Sequence, residues 1–262
     1  TMNRMARPTG TQLIARSALL LRLIANANHQ GARLVDLTLH SGLERPTVRR
    51  ILQGLVAEGL VRQQTNDHRY LLGHLTYELG LAAARGIDMP AIAAPSLERI
   101  ARDTGDTVYL VQRSGLDAVC IDRREGSYPI KVLTIDVGAR RPLGAAVGGL
   151  ALLAGAPPDE CSAILQLNRS QIAPYEALYG LTIEQAVGDA RRQGFAWMPV
   201  NVLPYLSGVG VAIPAAAGTP HVALSVSAIS SRLMDNNRYV AVARILQEEA
   251  ESIAAACRAQ GR

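Results

Sequence analysis

Cysteine is scarce in this chain. Cys120, Cys161 and Cys257 are three in number and widely spaced, so they offer neither a paired disulfide framework nor a CxxC metal pair, and a reducing cytoplasm is the expected setting. Long apolar runs are missing too. No stretch of about 18 consecutive apolar residues occurs, as a membrane-spanning helix would need. The first 30 residues lack the charged start, apolar run and small-residue cleavage site of a secretory signal, so the chain is expected to be neither secreted nor membrane-spanning. His29, His40, His68, His74 and His221 show no HxxxH or HExxH spacing. LPYLSGVG is no GxSxG elbow, and GVGVAI lacks the third glycine of a dinucleotide fingerprint. No nucleophile is assembled with a base, so an enzyme is not expected, and neither is a cofactor or metal. His221, next to Pro220, reads as an exposed turn residue.

What is present is ordinary globular composition, 48% apolar and 19% charged over 262 residues, which is long enough for two domains. Lysine is absent from the first 88 residues, which carry 11 Arg against 6 Asp/Glu, while the remainder balances 16 basic against 16 acidic residues. The whole formal charge of +5 therefore lies in the N-terminal third. Such asymmetry is the electrostatic footprint of one domain meeting a polyanion.

Within that third, Val48, Ile51, Leu52, Leu55 and Val56 fall on one stripe of a helix predicted from Arg45 to Glu58, opposite Arg45, Arg49, Arg50 and Gln53. Pro46 suits its first turn and Gly59 its exit. Ser41-Gly42-Leu43 forms a sharp corner after a short helix containing Val35, Leu37 and Leu39. This is a helix-turn-helix pattern, whose second helix would enter the major groove with Arg45, Thr47, Arg49 and Arg50. Arg45, Thr47 and Arg49 are expected to read base edges and Arg50 to hold a phosphate. A first helix is predicted over Gln12–Asn26, with Leu13, Ile14, Ser17, Leu20, Leu21 and Ile24 on its apolar side. Arg4 and Arg7 precede it on a polar segment that could reach along DNA or be merely solvated. VRQQTNDHRYLLG gives two brief strands, Val61–Gln64 and Arg69–Leu72, as a hairpin wing. Arg62 and Arg69 would skim phosphates there, unless the hairpin simply faces solvent.

A bridging helix is predicted from about His74 to Arg85, ended by Gly86 and Pro90, and its apolar residues Leu75, Tyr77, Leu79, Leu81 and Ala82 need a partner that a second copy of the chain would supply. Further on, the predicted elements are a helix over Met89–Asp103, strands over Thr107–Arg113, Ala118–Arg123 and Lys131–Ile135, and a small-residue helix in GAAVGGLALLAG. Helices follow over Asp159–Asn168 and Thr182–Gln193, the latter opened by the capping box TIEQ. Strands carrying Val209, Val211 and Ile213, and then Val222–Ile229, precede a last helix over Asp235–Cys257. Small residues at the head of the Gly/Ala helix permit close approach of a ligand or, equally, tight helix-on-sheet packing.

Taken in order, ERPTVRRILQGLVAEGLV, RYLLGHLTYELG, VGARRPL with a Gly/Ala helix ending ALLAG, GVGVAIP and VALSVSAI resemble the isocitrate lyase regulator (IclR) family of bacterial transcription regulators over nearly the whole chain. The resemblance implies an α+β protein. Its parts would be a winged helix-turn-helix DNA-binding domain (residues 1–73), a linker helix (74–88) and a GAF-like effector-binding domain with an antiparallel sheet (89–262). It implies operator DNA, a small-molecule effector, and a homodimer or homotetramer. Carried onto this chain, the family's effector pocket falls on Gly148, Gly149, Asn201, Val209, Val211, Ser225 and Ser227. The serines are two apart on one strand and so face one side together. Where the family commonly has a hydroxyl-bearing residue, a Gly-Lys pair and an acidic residue before GV, this chain has Ala146, Gly149-Leu150 and VNVLPYLSGV. A less polar pocket results, pointing to a larger, aromatic carboxylate or amide as effector of a regulator of a catabolic operon. The rival functions are a DNA-binding protein without a sensor and, more remotely, an enzyme in the C-terminal domain.

Overall fold

The computed structural model describes residues 11–27, 30–83, 88–200, 203–215 and 221–260. The chain divides into two compact units, Thr1–Gly86 and Ile87–Arg262.

In the first unit, helices α1 (Gln12–Asn26), α2 (Leu34–Ser41) and α3 (Arg45–Ala57) precede strands β1 (Val61–Gln63) and β2 (Tyr70–Leu72) and helix α4 (His74–Ala83). Gly42 caps α2 with φ +65°, a left-handed geometry that lets the chain turn sharply into α3. Leu20, Ile24, Leu37, Val48, Ile51, Leu52, Leu55, Val61 and Tyr70 close into one core. Each fully buried aliphatic side chain there stabilises the unit by about 1.5–3 kcal/mol. The stripe expected on α3 is buried except for Val56, and on α1 and α2 the outer apolar residues Leu13, Ile14, Val35 and Leu39 face solvent. The wing is an antiparallel pair, Val61 opposite Leu72 and Gln63 opposite Tyr70, and Ala32 bridges Tyr70 from the other side. No residue of α4 is buried. The last residues expected in that helix lie outside the described residues, as do Arg4 and Arg7.

The second unit is a single six-stranded sheet with helices on both faces. Its elements are α5 (Met89–Thr104), β3 (Thr107–Ser114), β4 (Asp117–Arg124), β5 (Arg140–Pro142), α6 (Val147–Ala154), α7 (Pro158–Tyr179), α8 (Ile183–Gln193), β6 (Ala196–Met198), β7 (Leu206–Ala212), β8 (Val222–Ile229), α9 (Ser230–Met234) and, after a 3-10 turn at Asp235–Asn237, α10 (Arg238–Gln260). The strands run in the order β5-β4-β3-β8-β7-β6, every neighbouring pair antiparallel. One face packs Val108, Leu110, Val209, Leu224 and Val226 against Leu97 and Ile100 of α5 and Leu246 and Ile253 of α10. The other packs Tyr109, Val111 and Ala223 against Leu150, Leu153, Ile164, Ile183 and Val187 of α6, α7 and α8. Strand β8 is buried along almost its whole length because both faces are covered.

Several expectations are corrected. Lys131–Ile135 is not a strand; the free edge of β4 is taken by β5, and the segment's backbone bonds to side chains instead. The Gly/Ala helix begins at Val147. Helix α7 continues past Asn168, through Pro174, to Tyr179. The last helix begins at Arg238, because Asn236 and Asn237 adopt positive φ. Strand β6 was not anticipated.

Candidate DNA-reading helix and effector cavity

Helix α3 presents Arg45, Arg49, Arg50 and Gln53 to solvent, with Thr47 half-buried. Glu44, its N-cap, makes no side-chain bond to the first turn, so the leading amides stay open to an outside acceptor. Arg62 on β1 is exposed as well. None of Arg45, Arg49, Arg50 and Arg62 is ion-paired among the described residues. Arg69 differs and corrects the expectation of a free phosphate contact. Its Nη1 donates to the carbonyls of Gln30 at 3.1 Å and Gly31 at 3.2 Å, and its Nε pairs with Asp67 at 3.2 Å, so it ties the wing to the loop beneath.

In the second unit, Ser225 and Ser227 project from β8 toward α6. Register places Gly210 and Tyr109 beside Ser225 on its two flanking strands. Cross-strand partners share a face, so Gly208, Gly210 and Ala212 face α6 while Val209 and Val211 face α5 and α10. Val209 and Val211 are therefore core residues of the opposite layer, not lining residues. Helix α6 lies so close that a Cβ on Gly148 would stand 2.8 Å from Val111 Cγ2, and one on Gly210 would stand 2.9 Å from the Val147 carbonyl oxygen. The small residues pack the helix tightly onto the sheet, which brings its N-terminus close to the serines.

Between them lies a cavity of about 30 Å³, room for roughly two waters. It is lined by Gly148, Gly149, Ser225 and Ser227, together with Tyr109, Val111, Ala118, Thr134, Ile135, Arg141, Ala146 and Val147. Four of the seven expected effector residues thus meet. Asn201 lies outside the described residues. Tyr109 is buried, and its hydroxyl donates to Val132 O at 2.5 Å and accepts from Thr134 N at 3.0 Å. Burial, foremost, raises its pKa, so it stays a donor at neutral pH. Arg141 donates to Thr134 O and reaches Tyr175 Oη at 3.5 Å. Sequence reasoning missed Tyr109 and Arg141; the only signal for Arg141 was its place in VGARRPL. All three cysteines are buried and free, and burial pushes the Cys120 thiol up to about 12. No helix among the described residues is long and apolar enough to cross a membrane.

A basic helix-turn-helix with a wing, joined in one chain to a helix-covered antiparallel sheet with a small cavity, defines a one-component transcription regulator. The profile of the IclR helix-turn-helix domain matches residues 13–65, and that of the bacterial transcriptional regulator IclR C-terminal domain matches residues 81–255. The chain belongs to the IclR family of transcriptional regulators; it is a DNA-binding regulator with an effector-binding domain, not an enzyme. It is 27% identical to the HTH-type transcriptional repressor AllR of Escherichia coli K12 over 248 residues, covering 94% of this chain and 90% of that one. The acetate operon repressor of Salmonella typhimurium is 25% identical over 228 residues, covering 86% and 82%. The solved IclR family regulator from Brucella abortus superposes with a TM-score of 0.75 at 21% identity, covering 98% and 96%. An IclR homolog complexed with 4-hydroxybenzoate, from Microbacterium hydrocarbonoxydans, gives 0.68 at 21% identity, covering 94% and 99%.

Proposed function

We propose that the protein represses a catabolic operon by binding a two-fold operator through α3 and the wing, and releases it when a small carboxylate or amide occupies the cavity beside Ser225 and Ser227. The observation that carries the DNA half is the exposed, unpaired Arg45, Arg49 and Arg50 opposite the buried stripe of α3. Arg45, Thr47 and Arg49 read base edges in this proposal, and Arg50 and Arg62 hold phosphates. Exposed Leu13 and Ile14 on α1 and Tyr77, Leu79 and Leu81 on α4 supply apolar surface for pairing copies of the chain, in a dimer or a tetramer. The names of the AllR and acetate operon relatives favour repression, and the 4-hydroxybenzoate held by the Microbacterium homolog favours an aromatic acid. A coupling of about 1–3 kcal/mol between the sites would change operator occupancy roughly 5- to 150-fold.

The test is to titrate the full chain onto labelled DNA flanking its own gene at several salt concentrations, with and without aromatic and short aliphatic acids and their amides. Site-preferring, salt-sensitive binding that one compound weakens supports the reading. The same binding with no response to any compound removes the sensing half, and absence of site preference at every salt removes the regulator half.

A further inference from the structure

Arg141 is the one charged side chain among the described residues that line the cavity. It forms no ion pair with any described residue. Nη2 donates to the carbonyl oxygen of Thr134 and Nη1 stands 3.5 Å from the hydroxyl of Tyr175, while Nε is buried with no acceptor among the described residues. Two neutral oxygens leave the guanidinium's charge uncompensated, and its unused donor points to a missing acceptor.

Ser225 and the amides of Gly148 and Gly149 are short of acceptors too. Ser225 is 96% buried by its 4% exposure, and its hydroxyl meets no hydrogen-bond partner among the described residues. The amides of Gly148 and Gly149 open α6, where intrahelical acceptors are lacking, and the N-cap, Ala146, has no side chain that could cap them. No carboxylate of the described residues lines the space. An amide ligand would bring two further donors to this donor-rich place, whereas a carboxylate brings only acceptors.

We propose that Arg141 selects a carboxylate effector over its amide: the guanidinium takes the carboxylate, and the Ser225 hydroxyl and the leading amides of α6 complete its bonds. The proposal rests on reading this cavity as the effector site and settles which of the two effector classes that site accepts. The cavity enlarges from its present size to admit the rest of the molecule, so Thr134, which now occupies one guanidinium nitrogen, shares or yields it.

The test is calorimetric titration of the full chain with benzoate, benzamide, propanoate and propanamide, on the natural protein and on Arg141→Lys and Arg141→Met, each checked for cooperative thermal melting. One acid is expected to bind the natural protein at least tenfold more tightly than its amide. Arg141→Met should erase that preference while leaving amide binding within about twofold, and Arg141→Lys should keep part of it. An acid that binds Arg141→Met as tightly as the natural protein overturns the proposal, as does an amide bound more tightly than its acid. Should Arg141→Met fail to melt cooperatively, the natural protein's acid-to-amide ratio and Arg141→Lys decide by the same criteria. Parallel operator titrations separate the two failures. An amide that releases DNA sinks the selection by Arg141 and leaves the ligand-gated regulator standing; if none of the four compounds binds or alters DNA affinity, both fall.

Discussion

Asp106 carries more than its share of the second unit's charge chemistry. Its side chain is 2% exposed and accepts from Arg232 at 2.9 Å and Arg238 at 2.8 Å, and Arg232 also lies 3.7 Å over the Tyr128 ring. Asp106→Ala would leave two guanidinium groups facing each other without a counter-charge, so the unit should lose about 3 kcal/mol in denaturant unfolding. A loss below about 1 kcal/mol would mean that solvent already screens the cluster. Glu249 and Arg99 give a pH dependence. Hydrogen bonding from Arg99, at 2.7 and 2.6 Å, holds the Glu249 carboxyl below its ordinary value of 4.5, and Arg113 does the same for Glu160. A depressed folded-state value contributes stability that is present above the unfolded-state value and is lost as pH falls through the folded one. The melting temperature should therefore hold steady above about pH 5 and decline below 4.5, with a shallower decline in Glu249→Gln.

Elements with a local signature were the legible ones. The TIEQ box forms as expected: the Gln185 amide donates to the Thr182 hydroxyl and the Thr182 amide to the Gln185 side chain, both at 3.2 Å. Thr182→Ala should cost about 1 kcal/mol in thermal or denaturant melts; no change would mean that packing alone holds α8. The ends of α1 and α3 were legible from apolar periodicity, with Pro46 in the first turn of α3 and Gly59 just past its end. Lys131–Ile135 was misread because its β-branched residues suit a strand, whereas its backbone is held by the Tyr109 hydroxyl and the Arg141 and Arg123 guanidinium groups. Tyr109→Phe removes two of those bonds, and amide exchange at Thr134 should quicken by about tenfold or more, as roughly 1.5 kcal/mol of local protection is lost. Helix α7 runs on past Asn168 and through Pro174 because buried Ile172 and the Tyr179 hydroxyl, bonded to Ala145 O at 2.5 Å, fasten it on both sides of the proline. The serines of β8 could be paired from spacing alone. Which residues of β7 share their face is a matter of register, and register is written in long-range pairing that one strand's sequence does not contain.

At the scale of the whole chain, the net positive charge lies in the first 88 residues, so the salt dependence of DNA binding should be set there. Each phosphate contact contributes about −0.9 to the slope of log affinity against log salt. Arg50→Ala should thus lower the steepness by about 1 per protomer while weakening all sequences alike. An unchanged slope would remove Arg50 from the phosphate contacts.

The six-stranded sheet is a partition one backbone thick. Ser225 looks into the cavity from β8, and its neighbours Leu224 and Val226 press on the layer that contains Met89, the first residue of α5. The cavity side and the α5/α10 core share that one backbone, so a displacement of β8 on either face must be taken up on the other.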